Sequence, residues 1–184
     1  MFDNLDKIDW ASIRDAYGKA SDIPSLLRAL LSSQGTVRQR ALEELDNRIH
    51  HQGTLYEAAV YVAPFLVELL EAPETPHKSD IVAIFVDLAE YKSPEDYSDE
   101  ELQWEITLRE VVESNIDLLY HYLEFGDSVV RCVIARALRV FPKHSDKSLP
   151  LLERALATEQ QPEIKQEIAG AIDVIRSGIM PNGG

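Results

Sequence analysis

The chain has 184 residues, 45% hydrophobic and 27% charged, which is enough apolar material for one sizeable core and too much for a disordered chain. Its 32 acidic residues against 18 basic ones give a net charge of −14, which disfavours phosphate backbones and anionic membrane surfaces and favours a basic protein as partner. No basic n-region with an apolar core opens the sequence, Pro64 and Glu68 interrupt the longest apolar stretch (61–70), and the single Cys132 allows no internal disulfide; a cytoplasmic protein without a membrane span is expected.

Apolar residues recur at three- and four-residue intervals along nearly the whole chain, as in Val37, Ala41, Leu42, Leu45, Ile49 and in Val130, Val133, Ile134, Ala137, Leu138, Phe141. The pattern predicts amphipathic helices over 5–17, 22–32, 36–50, 55–71, 77–90, 100–125, 127–141, 146–158 and 162–177. Gly18, Gln34-Gly35, Gln52-Gly53, Pro73, Pro76, Gly126-Asp127, Pro142 and Pro162 mark the breaks between them. The only Asn-Gly pair, Asn182-Gly183, lies in the tail, so no hairpin is expected in the body and the fold class is all-α. Two segments depart from the short connections: a polar insertion over 91–99 and a small-residue tail after Ser177. The expected organisation is a single domain over 1–177 with an acidic insertion near 91–101, followed by a flexible tail over 178–184.

The helices repeat. A first-helix element occurs as Pro24-Ser-Leu26-Leu27-Arg-Ala-Leu30, Pro64-Phe65-Leu66-Val-Glu-Leu69-Leu70 and Pro150-Leu151-Leu152-Glu-Arg-Ala155-Leu156. A second-helix element follows as Val37-Arg38-x-x-Ala41-Leu42, Val130-Arg131-x-x-Ile134-Ala135 and Ile164-Lys165-x-x-Ile168-Ala169. A helix pair cannot bury its apolar faces alone, so such pairs stack, with Ala at the close approaches and Leu, Ile or Val between layers.

Over about 22–177 this pattern resembles the HEAT-repeat family of armadillo-like α-solenoids, although the helix over 79–89 has no base at the Arg position and the helix from Ile116 lacks the proline. The segment His50-His-Gln52-Gly53-Thr54-Leu-Tyr56-Glu57 before Pro64 is similar to a linker of bacterial HEAT-type proteins, which implies a bacterial origin. The resemblance implies a right-handed α-α superhelix of about four helix pairs with an N-terminal capping helix. It also implies a curved surface, lined by the second helices, that holds another macromolecule.

No enzyme signature accompanies this pattern. His50 and His51 point about 100° apart on a helix and have no Cys or His at zinc spacing, so they are expected to cap helix ends around Gly53 and no metal or cofactor is expected. Cys132 sits among apolar helical neighbours and is expected in the core. No phosphate-binding loop, nucleophile elbow or zinc-protease pair is present. Trp10 and Trp104 with Asp80 or Asp87 are similar in kind to the groove residues of helical-repeat DNA glycosylases, but the basic groove that nucleic acid requires is missing.

Charge supplies the positive signal. From Glu90 to Glu124 there are 11 acids against Lys92 and Arg109. A solvated helix face and a dipole-stabilised helix start account for part of this run. The remainder fits an acidic docking edge formed by Glu90, Tyr91, Glu95, Asp96, Tyr97, Asp99, Glu100 and Glu101, extended by Asp80 and Asp87 on the preceding helix. Arg136, Arg139 and Lys143 form a small basic stripe on a later helix. The expected function is non-catalytic binding of a basic protein, as in an immunity-type inhibitor of a bacterial toxin. An adaptor holding a peptide in a concave groove is the alternative, and an enzyme on a HEAT scaffold is a distant third.

Overall fold

The computed structural model describes residues 1–91 and 98–178, and the chain is mostly helical, at 73% helix. Helices occupy Ile23–Ala29 (α1), Gly35–Ile49 (α2), Ala58–Glu71 (α3), Lys78–Glu90 (α4), Asp99–Ser114 (α5), Ile116–Phe125 (α6), Ser128–Leu138 (α7), Ser145–Thr158 (α8) and Pro162–Ser177 (α9). The tail beyond Gly178 lies outside the described residues.

Three local expectations are corrected. The segment expected as a helix over 5–17 holds a single 3-10 turn at Leu5–Lys7 and then a hairpin, in which Arg14–Asp15 (β1) pairs antiparallel with Gly18–Lys19 (β2). Tertiary bonds override helix propensity here: the Ala16 amide donates to the Arg48 carbonyl and the Arg14 amide donates to the Glu57 carboxylate, while within the segment the Trp10 indole donates to the Leu5 carbonyl. Leu5, Trp10 and Ile13 are buried from this irregular backbone.

A second hairpin joins α2 to α3. His50–His51 (β3) pairs with Thr54–Leu55 (β4), and Gln52 and Gly53 make the turn at φ 50° and 78°. Positive φ at both central positions is the type I′ turn that matches strand twist, so Gly53 sits where a side chain would be strained. Both histidines are thus strand residues, and His50 is at the same time the C-cap of α2, its amide donating to the Asp46 carbonyl. Third, the helix expected over 100–125 is two helices, divided at Asn115 (φ −112°, ψ 25°). Asn competes for its own backbone and is a poor interior helix residue.

The chain forms two compact units, Met1–Val112 and Glu113–Gly184, with the division inside α5. In the first unit α1 packs on α2 and α3 on α4, while α2 also touches α3 and α4. Leu5, Ile23, Leu27, Leu45, Ile49, Leu66, Leu69 and Phe85 are buried in its core. Phe2, Trp10 and Tyr61 surround that core through aromatic contacts that include Phe65. In the second unit α6 packs on α7 and α8, α7 on α9, and α8 on α9. Leu119, Leu123, Ile134, Leu138, Leu152 and Ile168 fill it, with a buried Tyr120–Ser148 hydroxyl pair at 3.1 Å joining α6 to α8.

The repeated arginine has a structural job in both units. Arg38, early in α2, donates through Nη1 to the Ser32 carbonyl at 2.6 Å, and Arg131, early in α7, donates through Nη1 to the Gly126 carbonyl at 2.6 Å. Each guanidinium thus ties the start of a second helix to the loop that precedes it.

Candidate protein-docking surface

The two units differ in charge. Residues 1–112 hold 22 acids against 10 bases, whereas 113–184 hold 10 against 8, so −12 of the −14 belongs to the first unit. In the second unit the basic stripe is partly neutralised within the unit, since Lys143 and His144 both reach the Glu113 carboxylate, at 2.8 and 2.9 Å. Burial opposes ionisation of Glu113, but these two partners outweigh it and lower its pKa.

The acids singled out from sequence occupy three settings. Asp80 is exposed in the first turn of α4 and stands on the rim of a cleft of about 260 Å³ between α2 and α4. Leu30, Leu42 and Ile81 give this cleft an apolar floor, and Arg38, Gln39 and His77 complete its polar rim. His77 is left-handed (φ 49°, ψ 52°) immediately before α4, a conformation that costs a non-glycine residue about 1 kcal/mol or more. The Lys78 ammonium donates to the Leu70 carbonyl at 2.8 Å and holds this corner against α3.

Asp87 is exposed two turns further along α4 and, with Tyr91, borders a recess of about 10 Å³ beside Asp46, His50, Leu55, Ile84 and Leu88. Burial raises the pKa of Asp46, against the opposing pull of His50. The Tyr91 ring meets the His50 ring edge-on at 5.6 Å, and its hydroxyl contacts the β3–β4 turn. Glu90 is half-buried at the end of the same helix.

The third setting is the start of α5. Ser98 and Glu101 form a reciprocal capping box: the Ser98 hydroxyl and amide donate to Glu101 Oε2 at 2.6 and 2.9 Å, and the Glu101 amide donates to the Ser98 hydroxyl at 3.3 Å. The Ser98 hydroxyl and then its amide lower the Glu101 pKa. Glu100 meets Arg14 at 3.3 Å, and Asp99 is exposed. Glu95, Asp96 and Tyr97 lie outside the described residues.

Sequence reasoning missed the α2–α4 cleft, because its lining comes from segments more than thirty residues apart. It also missed Arg48, which is 12% exposed and gathers Asp15 at 2.7 Å and Asp22 and Glu44 at 3.0 Å, with its guanidinium 5.5 Å from the Tyr17 ring. Burial works against the Arg48 charge, but the bonds to Asp15 and Glu44 prevail and raise its pKa. Cys132 is half-buried, more accessible than a core position. Among the described residues no group of three or more His, Cys, Asp or Glu side chains is placed to hold a metal ion, and no helix is long and apolar enough to cross a membrane.

Comparison with protein-family models, with curated proteins and with solved structures gave no match for this chain.

Proposed function

We propose that this chain is a non-catalytic, HEAT-type helical scaffold that binds a basic protein through its acidic first unit, in the manner of an immunity-type inhibitor of a bacterial toxin or effector. The observation that carries this reading is the charge asymmetry, 22 acids to 10 bases in the first unit against 10 to 8 in the second. A field of one sign draws an oppositely charged partner into encounter and rejects nucleic acid and anionic lipid. Exposed Asp80, Asp87 and Asp99 are presented from helices whose opposite faces are buried, so the carboxylates are held on firm supports rather than on loose chain. A toxin that cuts nucleic acid fits as partner, because its substrate site must be basic.

The repeated proline and arginine elements and the helix-pair packing inside each unit support the HEAT reading. The test is recovery of the tagged full chain from its native host at low and high salt. A stoichiometric basic protein that is harmful when expressed alone, and whose association slows steeply with added salt, is the expected result; retention of neutral housekeeping proteins at every salt concentration would overturn it.

A second reading, an adaptor gripping an extended peptide, is favoured by one observation: the apolar floor of Leu30, Leu42 and Ile81 in the α2–α4 cleft. Binding by such a cleft would change little with salt.

A further inference from the structure

Helix α5 has three faces with different fates. Glu105, Leu108 and Val112 are buried, and Arg109 reaches back to Glu105 at 2.8 Å. A second face is occupied by Arg14, whose guanidinium lies 5.7 Å from the Trp104 ring while it pairs with Glu100. On the third, Leu102 and Ile106 stand one turn apart and are 48% and 41% exposed. Asp99 lies one turn before Leu102 and Glu110 one turn after Ile106, both exposed. Two large apolar side chains are thus bracketed by carboxylates on one exposed flank of a 16-residue helix.

We infer that this flank docks a basic amphipathic segment of the partner protein, apolar side chains seating against Leu102 and Ile106 and Lys or Arg heads meeting Asp99 and Glu110. The inference rests on the proposed function and names the contact within it. Charge complementarity selects the occupant. A second copy of the chain would bring Asp99 and Glu110 against the same acids, and an anionic membrane would be repelled in the same way. An acidic rim alone gives rate without hold; the apolar pair supplies the part that slows dissociation, as anchors at interface centres do.

The experiment uses the full chain, isotope-labelled for amide NMR, titrated with an amphipathic lysine–leucine peptide, the same peptide with serine for leucine, and a glutamate–leucine peptide. The expected result is binding of the lysine–leucine peptide with shifts centred on residues 99–110, affinity about ten-fold weaker for the lysine–serine peptide and for the Leu102→Ser/Ile106→Ser protein, and none for the acidic peptide. Asp99→Asn with Glu110→Gln should weaken binding and flatten its salt dependence. These positions are exposed, and circular dichroism verifies that each variant folds. Equal binding of the lysine–serine peptide, or shifts elsewhere in the first unit, would overturn the α5 docking face while leaving the basic-partner reading intact. Failure of every cationic peptide to bind would overturn both.

Discussion

The hydroxyl of Tyr91 donates to the Gly53 carbonyl at 3.1 Å and accepts from the Leu55 amide at 3.3 Å, so the residue that ends α4 closes over a turn 38 positions earlier in the chain. One side chain thereby bonds two backbone groups of the hairpin, the Gly53 carbonyl in the turn and the Leu55 amide on β4.

Replacing that hydroxyl tests the latch. Tyr91→Phe keeps the ring against His50 and removes both bonds, and should cost about 1 kcal/mol of stability. The loss should appear in chemical denaturation, with faster amide exchange confined to 50–55. Unchanged exchange at Leu55 would mean that the hydroxyl is ornamental.

The hairpin also shows where the sequence was and was not legible. Helices α2, α4, α7 and α9 announce themselves because their buried residues fall at three- and four-residue spacing, as Ala41, Leu45 and Ile49 do. The N-terminal segment carries a similar spacing, yet Asp15 is drawn to Arg48, 33 residues away, and local pattern cannot report such a bond. The break at Asn115 was hidden for the opposite reason, since Val112, Ile116, Leu119 and Leu123 keep the helical period across it. Among the acids, composition shows the charge but not its employment: Glu101 caps a helix and Glu100 holds Arg14, while Asp80 and Asp99 are exposed.

That difference separates stability from association. Glu101→Ala should lower stability by about 1 kcal/mol through its cap while changing partner association only slightly. Asp80→Asn with Asp99→Asn removes two exposed charges and should slow association with a basic partner a few-fold at low salt, with dissociation little altered. Stopped-flow association at two ionic strengths distinguishes these effects, and a rate untouched by the double variant would remove both carboxylates from the docking edge.

Glycine positions offer a contrast of sign. A Cβ on Gly126, between α6 and α7, would lie 2.4 Å from the Tyr122 carbonyl oxygen and 2.6 Å from Val130 Cγ1, whereas one on Gly170, on the exposed side of α9, would meet nothing within 4 Å. Gly126→Ala should therefore destabilise by roughly 1–3 kcal/mol. Gly170→Ala should stabilise by about 0.5–1 kcal/mol, because alanine restricts the unfolded chain and favours helix. Thermal melts of the two variants should move in opposite directions, and a shared direction would show that backbone relaxation dissolves the Gly126 clash.

Glu159 should make the stability of the second unit depend on pH. Its side chain is 1% exposed at the α8–α9 corner, where it accepts from Arg131 Nη2 at 2.7 Å, Ser128 Oγ at 3.1 Å, and the Gln160 and Gln161 amides at 2.8 and 3.0 Å. The Gln161 amide first, then Arg131, outweigh the cost of burial and bring its pKa down from 4.5 to about 2. A carboxyl whose pKa is lower in the folded chain than in the unfolded one contributes its stability above the unfolded value and loses it as pH falls toward the folded value. The window is therefore from 4.5 down to about 2. Glu159→Gln should melt several degrees below the native chain at about pH 7, and the gap should narrow steadily as pH is lowered through about 4 toward 2.5. Melting curves of the two proteins across that range measure the gap directly. A gap of constant width would show that Arg131 and the corner amides hold glutamine as well as carboxylate, so that the corner rests on hydrogen-bond geometry and not on charge.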